Sequence, residues 1–245
     1  MASTQVIGFW RGFAAPFSAA RQLLGLPRAW PYMLVPALVF LLLEAGFVAV
    51  SWRFVRPWVR DVFTGQAWWQ HGASVISWLA VLLAAALGWL LSATFAPALS
   101  SPALERVVDI AETSLSAPAR APLGFFAEFS CGLRSLLLSS LVSLPVFIAL
   151  TLLEMVAPPV AVVTTPLKLL IGALGVAWGL FDYPLTLRGI GARERFAFMR
   201  RHFAAVFGFG LAFSLVFWLP CFGILMLPIG VFASTRLYWQ IQRAQ

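Results

Sequence analysis

Long stretches without a charged residue alternate with short polar segments along this chain, and they predict helices that lie in a membrane. Met33 to Val50 contains one charged residue, Glu44, and the stretch from Gly72 to Leu104 contains none. Each run is long enough to cross about 30 Å of hydrocarbon, the second best over residues 76–97. We therefore predict two full membrane spans.

Two later apolar runs are each interrupted by prolines. Residues 135–181 are broken at "APPV", and the run Phe203 to Thr235 is broken around Pro220. As one helix the last run would reach about 50 Å, more than the hydrocarbon needs. Pro220 also removes a backbone donor. We therefore predict two pairs of hemi-penetrating, re-entrant helices, the second with its tip at Pro220 and Gly223.

The N-terminal segment has a different pattern. Residues 1–30 contain no acidic residue, and on a helical projection one face collects the bulky apolar side chains while Arg11 and Arg21 lie towards the other. This predicts an interfacial amphipathic helix and not a cleaved secretory signal. The apolar face comprises Phe9, Trp10, Phe13, Phe17 and Leu24.

Composition places the whole chain in the membrane and sets its orientation. Of the residues, 61% are hydrophobic and 11% are charged, and the net charge of +8 comes from arginines that flank apolar runs, which argues against a nucleic-acid partner. If only the first two runs cross, three N-terminal arginines share a side with the ten after residue 100, against three in the short connection between the spans. This bias predicts cytoplasmic termini.

The fold class we predict is an all-α integral membrane protein of one domain, residues 1–245. Its parts, in order, are an amphipathic segment (1–30), a transmembrane hairpin (31–98), a cytoplasmic loop with a short helix (99–122), the first re-entrant pair (123–182), a basic loop (183–202) and the second re-entrant pair (203–245).

Few residues suggest chemistry. The cysteines and histidines have no spacing typical of a disulfide framework or a metal site, and no nucleotide-binding loop or nucleophile–base pair is visible. We expect no catalytic residue, metal or cofactor. Two acids stand out as structural or pathway residues. We expect Glu44 to face protein or an ion pathway because an acid in lipid is costly, and we expect Asp182 to hold a turn, with ligand binding as the alternative. The arginines at 188–201 are expected to set topology and touch anionic lipid.

The C-terminal part resembles the CysZ family of bacterial inner-membrane proteins, which shares a superfamily with etoposide-induced 2.4-type proteins. The resemblance rests on an ordered set: "FDYP" after an apolar helix, Phe209 and Gly210 opening the last run, Pro220 and Pro228, and then Ser234 and Thr235. It implies two long transmembrane helices with two hemi-penetrating pairs, an oligomeric assembly in the inner membrane, and sulfate uptake for cysteine biosynthesis.

The anion loop of that family is altered here. CysZ-type proteins have Gly-Ile/Leu-Arg-Arg after a proline, whereas this chain has Arg28-Ala29-Trp30-Pro31 after Pro27. Arg28, with Trp30 beside it, either joins an oxyanion site or anchors the first span at the headgroups. Two functions follow as hypotheses: a pathway for a small oxyanion such as sulfate, or a non-transporting membrane scaffold that has lost the anion loop.

Overall fold

The computed structural model describes residues 8–63, 70–118, 137, 141, 144–217 and 222–244. The described chain is α-helical, with α1 at Phe9–Leu24, α2 at Trp30–Val50, α3 at Arg56–Phe63, α4 at Gln70–Leu99 and α5 at Ser101–Ser114. There follow α6, described over Leu144–Val156, and then α7 at Ala161–Thr186, α8 at Ala192–Arg201, α9 at Phe203–Phe217 and α10 at Phe222–Arg243. Short 3₁₀ turns at Pro27–Ala29 and Pro158–Val160 precede α2 and α7, and a π-helical turn, Ser51–Val55, precedes α3.

The protein is an all-α integral membrane protein. Among the described residues, four helical segments are long and apolar enough to cross a membrane: Pro27–Val62, Ser74–Leu99, Pro158–Thr186 and Gly223–Arg243. The first two contain the spans predicted from sequence. The other two belong to the runs that we predicted to re-enter, and length alone does not separate a span from a re-entrant helix. The depth of those helices in the membrane therefore stays a prediction.

The chain divides into two compact units. Unit 1 contains residues 1–34 and 101–245, and unit 2 contains residues 35–100. In unit 2, α2 and α4 meet through side chains: Phe40 lies edge to face with Trp89 at 6.4 Å between ring centroids, and Gly88 lies against the Phe47 ring. Most other large apolar side chains of this unit are exposed, as expected of helices that face lipid.

Unit 1 is built around α10, which packs against α1, α5, α7 and α9. Its core is apolar and includes fully buried aromatic rings from three helices. Phe181 of α7 contacts Phe209 of α9 at 5.2 Å, and Phe209 contacts Phe213 at 5.1 Å. Phe232 of α10 is also fully buried. Each ring buries a large apolar surface, and together the rings pack α7, α9 and α10 into one core.

Close helix crossings depend on glycine. A Cβ added at Gly12 of α1 would overlap the carbonyl oxygen of Ala205 in α9, and one at Gly210 would overlap the carbonyl oxygen of Ala173 in α7. Backbones come this near only where a side chain is lacking. The buried stripe of α1 is accordingly small, with Gly12, Pro16 and Ala19 before Leu23. Of the aromatic face predicted to lie at the interface, Trp10 and Phe17 are exposed, whereas Phe9 packs against Phe207 of α9 at 5.9 Å between ring centroids.

The α9–α10 pair folds back on itself. We call the end of unit 1 where α8 lies the base. Phe198 of α8 contacts His202, directly before α9, and Tyr238 in the last part of α10, at 5.0 and 5.6 Å between ring centroids. The beginning of α9 and the end of α10 therefore both lie at the base. The predicted tip residue Pro220 lies outside the described residues, and Gly223 lies in the first turn of α10.

The α6–α7 pair is also antiparallel. Glu154 near the end of α6 pairs with Lys168 in α7 at 2.6 Å, while the earlier Phe147 lies beside the later Gly172. Since Phe181, late in α7, contacts Phe198 at 5.9 Å, α7 ends at the base. The beginning of α7, the end of α9 and the beginning of α10 therefore lie away from it. Two antiparallel helix pairs are present, as predicted from the prolines, and their re-entry into the membrane stays a prediction.

The segment predicted as a basic loop, 183–202, is mostly helical, and that part of the prediction is wrong. α7 continues through Pro184 to Thr186, and α8 fills Ala192–Arg201. Between them the chain turns at Gly189, whose φ of +69° suits a residue without a side chain. Helix α5, predicted as a short helix in a cytoplasmic loop, is present and buries Leu104, Val107 and Val108 in the core of unit 1.

Candidate functional site

The loop between α1 and α2 holds the two residues predicted to contact an anion. Helix α1 ends at Leu24, Leu26 is extended, and the 3₁₀ turn Pro27–Ala29 leads into α2. Pro27 suits the first position of such a turn because it has no N–H to satisfy. Leu23 before the loop and Ala29 within it are fully buried in the core of unit 1. The loop is therefore anchored on both sides of Arg28.

Arg28 points out of this anchored loop and is exposed. In the part of the chain that the structure describes, no carboxylate forms an ion pair with it. An exposed guanidinium keeps its fork of N–H groups free for a carboxylate, phosphate or sulfate. Such a group suits either a ligand or a lipid headgroup.

Trp30 has a structural contact in the same loop. Its indole Nε1–H donates to the carbonyl oxygen of Leu24 at 3.1 Å, which satisfies one of the carbonyls left unpaired at the end of α1. The backbone N–H of Trp30 donates to the carbonyl oxygen of Pro27. Both N–H groups of Trp30 are thus used within the loop, and its predicted contact with an anion stays a prediction.

Glu44 lies midway along α2 in unit 2 and faces α4. The hydroxyl of Ser92, which is fully buried, lies 3.5 Å from Oε2 of Glu44. The carboxylate itself is half-buried. A contact between one span and the other agrees with the expectation that an acid in a membrane helix faces protein. Whether Glu44 also lines a pathway stays a prediction.

Asp182 does not hold a turn, and the expectation that it does is wrong. It lies inside α7, and its carboxylate pairs with the guanidinium of Arg195 in α8. Both side chains are largely buried, and Arg195 Nε also donates to the carbonyl oxygen of Ile190 at 2.8 Å. The helix continues past Asp182 because the carboxylate finds its partner on a neighbouring helix. Its role is to fasten α8 to α7.

A second buried pair was missed by sequence reasoning. Arg188 donates through Nε and Nη2 to Oε1 of Glu112 in α5, at 3.0 and 2.8 Å. The Arg188 guanidinium also lies 4.3 Å from the ring centroid of Trp239 in α10. Arg188 and Arg195 therefore form ion pairs that connect helices inside unit 1. The expectation that they contact lipid is wrong for these two arginines. The one feature of the sequence that indicates a buried ion pair is Glu112, a charged residue next to the apolar stripe of α5.

The base also holds a cavity of about 290 Å³. Its lining is mixed, with Glu194 and Arg201 from α8, His202, and Tyr238 and Gln242 from α10. Burial, and then the neighbouring charge of Arg201, lowers the pKa of His202 below its ordinary value. The cavity carries both charge signs, so it has no clear preference for an anion. It was not foreseen from sequence, because its lining residues come from three different helices, α7, α8 and α10, and from the turns beside α8.

Comparison with known proteins identifies the family. Residues 15–228 match the family described as "Sulfate transporter CysZ/Etoposide-induced protein 2.4". The chain is 26% identical over 217 residues to the sulfate transporter CysZ of Pseudomonas fluorescens (strain Pf0-1), and the match covers 86% of each chain. The family match spans unit 2, the loop between α1 and α2, α5, the first helix pair and the second pair as far as Pro228. The chain therefore belongs to the sulfate transporter CysZ/etoposide-induced protein 2.4 family.

Proposed function

We propose that this protein forms a pathway for a small tetrahedral oxyanion, sulfate in the first place, across the membrane. Family membership and the similarity to a sulfate transporter along most of the chain support the substrate class. We assign anion binding to Arg28 because its guanidinium is exposed on a loop that buried Leu23 and Ala29 anchor. A guanidinium on an anchored loop loses little conformational entropy when it binds an anion.

Its setting, in this proposal, is the bacterial inner membrane, crossed more than once, with both termini cytoplasmic. The thirteen arginines outside the connection between the spans, against three within it, support that orientation. The base of unit 1, with α8 and the end of α10, then faces the cytoplasm. Arg28, in the N-terminal segment, shares that side.

We also propose a homo-oligomer. Many large apolar side chains are exposed, including Val156 and Val162 on either side of the first hairpin turn, at 85% and 80%. Irregular backbone at such a turn is tolerated inside a membrane where protein covers it or water reaches it. Subunit contacts around the two hairpin tips would provide that cover. Crosslinking of the protein in native membranes, before extraction, tests this.

The proposed function is tested by uptake of radiolabelled sulfate into liposomes that contain purified protein. We expect Arg28→Ala to lower the initial rate about tenfold, because a charge-assisted contact is lost. Arg28→Lys should recover only part of the rate, since an ammonium is a point charge without the fork. Arg21→Ala is the matched control: Arg21 is also exposed, ends α1 and carries the same charge.

Each result has a clear meaning. A rate that falls equally with Arg28→Ala and Arg21→Ala would assign both residues to the headgroup region and remove Arg28 from the site. No sulfate uptake by any form, with the protein correctly inserted, would favour a scaffold that keeps the fold without transport.

A further inference from the structure

The connection between the two helices of unit 2 holds an arginine enclosed by two tryptophans. Arg56 is the first residue of α3, directly after the π-helical turn Ser51–Val55. Its guanidinium carbon lies 4.2 Å from the ring centroid of Trp52 and 4.9 Å from that of Trp78 in α4. The two indoles meet edge to face at 5.3 Å between centroids. We call Trp52, Arg56 and Trp78 the indole–arginine cluster.

The local fold gives this cluster a fixed geometry. Trp52 and Arg56 are four residues apart, so they lie on the same helical face. The chain there is anchored by Ser51, which is buried and donates through Oγ to the carbonyl oxygen of Phe47 at 2.7 Å, and by buried Val59 in α3. A π-helical turn widens the helix locally, and such turns are frequent at functional sites. Here the turn contains Trp52 and ends directly before Arg56.

The charge of Arg56 is not balanced by a carboxylate within the described ranges. Its Nε–H is buried and has no hydrogen-bond acceptor among the described residues. Residues 51–63 contain three arginines and one aspartate, so the surroundings are positive. A buried donor on an unbalanced cation is costly unless an acceptor is supplied. Among the described residues, no acceptor competes with an anion for this Nε–H of Arg56.

The shape of the cluster selects the ligand chemistry. Indoles near the guanidinium hold it in place by cation–π attraction and limit its contact with water. A guanidinium binds anions through its in-plane N–H edges, in pairs that match two oxygens of a phosphate or sulfate. We propose that the indole–arginine cluster binds a tetrahedral oxyanion, either the phosphodiester of a phospholipid headgroup or free sulfate.

The cluster belongs to unit 2 and Arg28 to unit 1, and this inference goes beyond the proposed function. It lies on the arginine-poor connection that the charge bias assigns to the outer face. A headgroup there would hold the ends of the two spans together. Free sulfate there would be gathered before it crosses.

Two binding measurements on the full-length protein separate the two sources. In the first, phosphatidylglycerol and phosphatidylcholine retained by the purified protein are counted by native mass spectrometry. In the second, delipidated protein in detergent is titrated with radiolabelled sulfate at constant ionic strength. The variants are Arg56→Lys, which keeps the charge, and Arg53→Lys as the matched control, because Arg53 is exposed and lies over the single ring of Phe54 at 5.7 Å.

We expect Arg56→Lys to weaken binding about tenfold in one measurement, while Arg53→Lys leaves both unchanged. Loss confined to phosphatidylglycerol identifies a headgroup site, and loss confined to sulfate identifies a free-anion site. Trp52→Phe, which keeps an aromatic ring, should weaken the same binding about threefold, and it replaces Arg56→Lys if that variant does not fold.

The proposal is overturned if Arg56→Lys and Trp52→Phe leave both measurements at wild-type values. It is also overturned if Arg53→Lys weakens binding as much as Arg56→Lys, since diffuse charge would then explain the result. Both measurements are made at equilibrium without flux, so they do not depend on whether the protein transports sulfate.

Discussion

Helices α2 and α10 come from similar apolar runs, yet they are used in opposite ways. In the segment Pro27–Val62, which contains α2, 11% of the most apolar window is buried, against 61% in Gly223–Arg243, which is nearly all of α10. Exposed leucines cover α2, whereas α10 lies among four helices of unit 1. Hydropathy alone therefore does not tell whether an apolar helix meets lipid or protein.

Small residues mark the difference. The helices that pack in unit 1 meet at Gly12, Gly208, Gly210 and Gly230, where an added Cβ would overlap a neighbouring atom. Gly46 in α2 has open space around it. A glycine at a helix crossing lets two backbones approach each other. A glycine on a face without a neighbouring helix has no such effect on packing. This contrast can be tested by matched substitutions in the two units.

The largest effect is expected from Phe209→Ala. This fully buried ring contacts both Phe181 and Phe213, and its removal leaves a cavity that should cost about 3–5 kcal/mol. Leu42→Ala in α2 is the control, because that side chain is 73% exposed. The free energy of unfolding in mixed micelles, titrated with denaturing detergent, measures both. Equal losses would show that α2 is as packed as α9.

Glu112→Gln should cost about 3 kcal/mol, because it leaves the Arg188 guanidinium without its buried counter-charge. The same titration measures it, and the double variant Glu112→Gln with Arg188→Gln should recover part of the loss. Asp109→Asn is the control, since Asp109 pairs with Arg106 on the exposed side of the same helix. A loss from Asp109→Asn as large as that from Glu112→Gln would contradict an internal role for the Glu112–Arg188 pair.

Gly210→Ala should cost about 1–3 kcal/mol, since the new methyl group forces α7 and α9 apart. Gly46→Ala in α2 should be neutral or slightly stabilising, because alanine favours helix. Melting temperatures of the two purified variants give the comparison. A Gly210→Ala protein as stable as wild type would mean that the α7–α9 crossing is looser than described.

The smallest effect is expected from Ser234→Ala, at about 1 kcal/mol. The buried Ser234 hydroxyl donates to the carbonyl oxygen of Leu180 at 2.8 Å and so joins α10 to α7. Thr94→Ala is the control, because the exposed Thr94 hydroxyl donates to the carbonyl oxygen of Leu90 in its own helix and joins no second helix. Thr94→Ala should leave the free energy of unfolding nearly unchanged. If it costs as much as Ser234→Ala, the hydrogen bond between α10 and α7 contributes no more than one within a helix.

Much of this fold could be predicted from the sequence, and the limits have physical causes. Uncharged runs and prolines located the long apolar helices and the two antiparallel helix pairs, because a membrane leaves few ways to satisfy the backbone. The partner of Asp182 could not be predicted: a carboxylate before Tyr-Pro suits a turn as well as a helix, and only the fold brings Arg195 to it. The Glu112–Arg188 pair joins residues 76 positions apart in the chain, which no local pattern brings together.

The candidate site was predicted less completely than the fold. Arg28 was identified and is exposed on an anchored loop, but the indole of Trp30, named beside it, bonds to Leu24. The resemblance to CysZ pointed to this window, where the sequence departs from the family's pattern. No sequence pattern encoded the indole–arginine cluster, because Trp78 comes from another helix.

The central claim is that unit 2 crosses the membrane while the helix pairs of unit 1 re-enter and return to the cytoplasmic side. Labelling of single cysteines with a membrane-impermeant maleimide in intact cells tests it most directly, in a background without Cys131 and Cys221. Exposed positions Val62 in unit 2, and Ala192 and Gln242 at the base, are replaced in turn. We expect labelling at position 62 only. Labelling at 192 or 242 would contradict the re-entrant arrangement.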